Sequence, residues 1–125
     1  MPYGQGIYHA IVFVRGRWTI AAMAALATGE RQFNELRAAI NESGEWAGKQ
    51  LTPRVLTDTL QRAQKDGLID RHRETPSGRR EDTGQFAAVV YRLTPMGRSL
   101  LQSLRPLADW AQRHHDKLPG VDAGA

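Results

Sequence analysis

The chain has no cysteine at all, which excludes disulfides, thiol nucleophiles and cysteine-ligated metals from its 125 residues. It has no phosphate-binding glycine loop, no nucleophile elbow and no H-E-x-x-H pair. The four histidines offer no replacement. His114 and His115 are adjacent and diverge by about 100° on a helix, and His9 and His72 have no second ligand at a recognised spacing. No metal, no cofactor and no catalytic residue is expected. The N-terminus shows no basic region followed by an apolar core and a cleavage site. The longest apolar run, Ile20 to Ala27, is too short to cross a bilayer. These absences point to a soluble cytoplasmic protein with no membrane partner.

The residues that are present fit one domain spanning 1–125. Its 17 basic residues against 13 acidic ones give a formal charge of +4, compatible with nucleic acid without demanding it. Distribution matters more than the sum. Four arginines lie between Arg71 and Arg80, opposed there only by Glu74.

The organising stretch runs from Gln32 to Leu68. Phe33, Leu36 and Ile40 form an apolar stripe with Glu35 and Arg37 facing outward, followed by the polar connection 41–50 and a second helical pattern over 52–66. Thr52 is an N-cap residue, Pro53 stands at the first helical position, and Gly67 closes the helix. On a helical wheel Val55, Leu56, Thr59, Leu60 and Ala63 lie on one side, with Arg54, Thr57, Asp58, Gln61 and Lys65 opposite. Read alone, this is either an amphipathic helix with a solvated face or a recognition helix, whose first turns meet base edges in the major groove. The chain after Gly67 favours the recognition helix. A β-forming run, the turn residues Pro76, Ser77 and Gly78, the basic pair Arg79 and Arg80, and a return through Phe86 to Leu93 make a hairpin over 71–92. A hairpin directly after a recognition helix is a wing. The fold class is therefore mainly α with a small β-hairpin wing, a winged helix-turn-helix.

Flanking segments complete the reading. The opening six residues are expected to be loose. Residues 7–15 fit a helix or a strand, with helix favoured, and Trp18 anchors an all-round apolar helix that ends at Thr28 and Gly29. Thr94 and Pro95 repeat the cap-plus-proline signature for a helix over 95–117, with a break near Leu104 imposed by Pro106. That helix carries more apolar stripe than a small domain can bury alone. The expectation is a homodimer interface formed by Ile7, Ile11, Leu104, Leu107 and Trp110. Trp46, a large aromatic inside a polar connection, either covers the core, touches a ligand or meets a partner.

In order and nearly in spacing, Gly16 to Trp18, Phe33 to Leu36, Pro53 to Leu56, Asp66 to Ile69 and Tyr91 to Gly97 resemble the HxlR-type winged helix-turn-helix transcriptional regulators of bacteria. The resemblance covers roughly Ile7 to Lys117. It implies a homodimer whose recognition helices enter successive major grooves of double-stranded DNA at an inverted-repeat operator, with repression the expected outcome. It places Arg54, Thr57, Asp58 and Gln61 in the groove, Asn34 and Thr52 at phosphates, and Arg79 and Arg80 on flanking DNA. Asp58 is the odd member, since a carboxylate near phosphates needs a cytosine amine or a neighbouring arginine. Two departures stand out. Many such regulators carry a sensing cysteine near the start, where this chain has Gln5, and the connection holding Trp46 and Lys49 is several residues longer. A small-molecule effector, if one acts, is expected between Trp18, Trp46 and Trp110. The competing expectation is a winged-helix module that binds protein instead of DNA.

Overall fold

The computed structural model describes residues 1–46, 48–74 and 88–118. Among them are six α-helices and one three-stranded sheet: α1 (Tyr3–Val14), α2 (Arg17–Leu26), β1 (Arg31–Gln32), α3 (Phe33–Ser43), α4 (Pro53–Lys65), β2 (Ile69–Glu74), β3 (Ala88–Leu93), α5 (Pro95–Ser103) and α6 (Arg105–Arg113). A single 3₁₀ turn, His115–Lys117, follows. The sheet is antiparallel in the order β1-β3-β2, with Ile69 opposite Leu93 at one end of the hairpin and Glu74 opposite Ala88 at the other.

The core forms where α2, α3 and α4 pack over the inner face of this sheet. Ala21, Ala22, Met23 and Leu26 from α2 meet Leu36 and Ile40 from α3 and Leu56, Leu60 and Ala63 from α4. Leu68, just before β2, and Ile69, Tyr91 and Leu93 of the sheet close it. Small side chains on α2 let its backbone sit close to its neighbours, which is why an alanine-rich helix can be central. Trp18 and Trp46 are partly buried against this cluster, so Trp46 covers the core.

Several expectations need correction. The opening is helical from Tyr3, because Tyr3, Ile7, Ile11 and Val14 continue one stripe and Gly6 N–H bonds the Pro2 carbonyl. Asn41 to Ser43 belong to α3, which shortens the connection to residues 44–52. A third strand, β1, pairs with β3, and the hairpin strands begin at Ile69 and end at Leu93, wider than 71–92. Arg37 does not simply face outward: it is partly buried, and its guanidinium donates to the Leu51 carbonyl at 3.4 Å.

The break expected from Pro106 occurs. The helix expected over 95–117 is two helices meeting at Leu104, whose N–H is shared between the Leu100 and Leu101 carbonyls. Pro106 has no N–H with which to continue the ladder, so α6 restarts with Ala108 bonding the Leu104 carbonyl.

Candidate nucleic-acid interface

Helix α4 is held at both ends. At its start the Thr52 hydroxyl accepts the Val55 N–H at 3.3 Å, with Pro53 at the first helical position. At its end Gly67 adopts φ +79°, the left-handed conformation that costs a glycine little. Gly67 N–H then bonds the Gln64 carbonyl and Leu68 N–H the Ala63 carbonyl, a Schellman closure that turns the chain directly into β2. Helix α5 pins this turn from outside. The Thr94 hydroxyl donates to the Gly67 carbonyl at 2.6 Å while accepting the Gly97 N–H at 2.9 Å, and Thr94 N–H bonds the Leu68 carbonyl. A side chain at position 97 would overlap the Leu68 carbonyl oxygen, so this approach requires glycine.

The segment entering α4 is equally fixed. Asn41 uses both ends of its amide on one residue: Oδ1 accepts the Leu51 N–H at 2.7 Å, and Nδ2 donates to the Leu51 carbonyl at 3.2 Å. With Leu51 itself buried, the long connection is tied to α3 one residue before the Thr52 cap. The extra residues therefore loop out without loosening α4.

This frame sets which face of α4 is free. Leu56, Thr59, Leu60 and Ala63 are buried, whereas Arg54, Thr57, Asp58, Gln61 and Lys65 are all exposed along one side. Val55 departs from expectation, being 39% exposed instead of packed. It sits at the edge of the buried arc, where α4 faces the corner between α1 and α2 across an open cleft shared with Arg15, Trp18, Asp58 and Arg62. Arg62, one turn beyond Asp58, and Arg15 add positive charge beside the reading face. The wheel reading named neither residue, and Arg15 becomes a neighbour only through the packing of α2 on α4.

Among the remaining candidates, Asn34 in the first turn of α3 and Thr52 are exposed on the protein surface. Arg79 and Arg80 lie outside the described residues. On β2 the exposed Arg71 and Arg73 alternate with partly buried His72, whose Nε2 lies 3.8 Å from the Glu30 carboxylate, and on β3 the exposed Arg92 lies 3.6 Å from Asp70. The three tryptophans do not converge within one chain. Trp18 lines the cleft beside α4, Trp46 lines a separate cavity between α2 and α3, and Trp110 borders neither.

Residues 13–119 match the HxlR-like helix-turn-helix family. The chain belongs to this family. Among curated relatives of the HxlR-like chain, the HTH-type transcriptional regulator YdeP of Bacillus subtilis (strain 168) is 26% identical over 112 residues, which make up 88% of this chain and 73% of YdeP. YtfH of Escherichia coli (strain K12), also an HTH-type transcriptional regulator, is 28% identical over 79% of this chain and 66% of its own length. A crystal structure described as a MarR-family transcriptional regulator from Enterococcus faecalis V583 superposes with a TM-score of 0.73 at 28% identity, covering 94% of this chain and 92% of that one. The reduced form of YodB from B. subtilis, at 18% identity, shares the fold with a TM-score of 0.68 over 90% and 93% of the two chains. The family and these relatives are transcriptional regulators, not enzymes. The Gly67, Thr94 and Gly97 contacts give the HxlR-like resemblance a physical basis, because the matching D-G-L-I and Y-x-L-T-x-x-G stretches meet each other in space.

Proposed function

We propose that this chain is a homodimeric, sequence-specific DNA-binding regulator that represses by occluding a promoter at an inverted-repeat operator. The observation that carries the reading is the outer face of α4, where five hydrogen-bonding side chains are exposed in a row on a helix fixed at both ends. Arg54 near the N-terminus grips guanine through O6 and N7, with Thr57, Asp58 and Gln61 reading adjacent base edges. Asp58 accepts from a cytosine amine or orients Arg62, one helical turn away. Asn34 and Thr52 contact phosphates, and the hairpin with Arg79 and Arg80 reaches flanking DNA.

The dimer is inferred from uncovered apolar surface. Neither α1 nor α6 buries a single residue, while Ile7, Ile11, Leu107 and Trp110 are exposed large hydrophobics and Leu104 is partly exposed at the α5–α6 joint. A second copy packed on these helices covers that surface and sets two α4 helices on one duplex. Thiol-based sensing is not available to these 125 residues, which contain no cysteine.

The test is affinity for duplex DNA as a function of salt. Binding through several phosphates weakens with a logarithmic slope of about −0.9 per phosphate. Arg54→Ala is expected to cost about 1–3 kcal/mol of discrimination between sites. Replacing Arg79 and Arg80 together lowers affinity for all duplexes alike and flattens the salt slope. Duplex binding absent at every salt concentration would instead assign the outer face of α4 to a protein partner.

A further inference from the structure

The connection between α3 and α4 walls a cavity of about 200 Å³ that the DNA-reading surface does not use. Its floor is made of small or aliphatic side chains, Ala21 of α2 and Ile40 of α3, Ala24 stands at its mouth, and one wall is Trp46. Arg31 and Glu45 stand at its polar edge. The volume is informative, since an apolar cavity of about 150 Å³ suffices to take up benzene. There is room for one ring and a small substituent, with the indole of Trp46 as an aromatic surface against it.

Charge narrows the ligand further. The Arg31 guanidinium is held by neutral acceptors only, through Nε to the Ala25 carbonyl at 2.9 Å and Nη2 to the Thr28 hydroxyl at 3.4 Å. Among the described residues it forms no ion pair. A partly buried, oriented guanidinium without a carboxylate partner is suited to accept one from a ligand. Glu45, exposed on the same rim, disfavours a second negative charge. We infer that the Trp46 cavity is a binding site for a single-ring aromatic monocarboxylate.

Occupancy of this site bears on α4 through the chain itself. Trp46 lies in the 44–52 connection, which is fastened at Leu51 by Asn41 immediately before the α4 cap, and its carbonyl accepts from Arg17 at 3.2 Å. A ligand that packs on Trp46 favours one arrangement of this connection over others. It therefore changes DNA affinity to the extent that the arrangements differ in how they present α4. This coupling rests on the DNA-binding reading, whereas the site itself does not.

The test starts with the full chain free of DNA. Benzoate, 4-hydroxybenzoate and phenylacetate are titrated calorimetrically, with benzamide and cyclohexanecarboxylate as uncharged and non-planar controls. At least one acid is expected to saturate at one site per chain with a Kd below about 1 mM, more tightly than either control. Arg31→Gln should weaken it tenfold or more, Arg31→Lys should recover part of the loss, and Ala24→Leu should abolish it. Ala24 is exposed on the helix surface, so its replacement fills the cavity mouth without disturbing the core, as an unchanged Tm would show. Absence of saturable binding by all three acids, or binding unchanged in both Arg31→Gln and Ala24→Leu, overturns the site. The bound acid is then added to the protein–duplex titration, where a shift of at least about fivefold is expected. Saturable binding with no such shift, in a protein that binds duplex, overturns the coupling alone.

Discussion

Helices α4 and α6 are both two-sided, yet they meet opposite fates. Leu56, Leu60 and Ala63 of α4 vanish into the core at 1% exposure or less, while Leu107 and Trp110 of α6 stay 61% and 44% exposed. Helix α1 behaves like α6, with Ile7, Ile11 and Phe13 all at 40% exposure or more. An apolar stripe states that a face is to be covered but does not name the cover. For α4 the cover is α2, α3 and the sheet of the same chain. For α1 and α6 no cover is found among the described residues, and the proposed second copy would supply it.

The contrast is sharpest when the same truncation is made on both helices. Leu60→Ala is expected to lower unfolding free energy by about 2–5 kcal/mol, because it opens a cavity in a close-packed core. Leu107→Ala should change the stability of the isolated chain by no more than about 0.5 kcal/mol. It should instead make apparent stability depend more steeply on protein concentration as the proposed dimer weakens. Urea denaturation at two protein concentrations, with sedimentation equilibrium, separates the two. Equal losses at both positions, independent of concentration, would break the contrast.

A third substitution probes the contact holding the far end of α4. Gly97→Ala drives a methyl group into the Leu68 carbonyl and should cost about 1–3 kcal/mol, as overpacking does. Because Thr94 bonds to the same turn, the variant should also lose DNA affinity while still folded, which an anisotropy titration below its Tm would read. A milder effect than that of Gly97→Ala is expected at the near end. Thr52→Ala removes one cap bond and about 1 kcal/mol, visible as a Tm drop of a few degrees with unchanged helical content.

Much of α4 was legible because its signals are local. A cap, a proline at the first position, a closing glycine and four inward residues within thirteen positions each arise from short-range geometry. The break at Pro106 was legible for the same reason. What escaped depends on contacts distant in sequence. Strand β1 is two residues long, too short for any alternation to register, and exists because Arg31 and Gln32 find Tyr91 and Val90. The Asn41–Leu51 clamp joins residues ten apart through a side chain whose direction no periodicity reveals. Val55 fell on the wrong side because a wheel marks the arc that faces inward, not where the neighbouring helix stops. The candidate effector site shows the same limit. Three tryptophans suggested one pocket, but α2 turns Trp18 toward α4 and leaves Trp46 to a separate cavity with Arg31.

DNA recognition by this chain is proposed to need two copies of α4, presented together by the helices that a single chain leaves uncovered. Selection of bound duplexes from a random library, followed by sequencing, tests this most directly. The expected result is enrichment of an inverted repeat with half-site centres about 10 base pairs apart, one helical turn, so that both recognition helices dock on one side of the duplex. Enrichment of a single unrepeated site, or of no sequence at all, would contradict it.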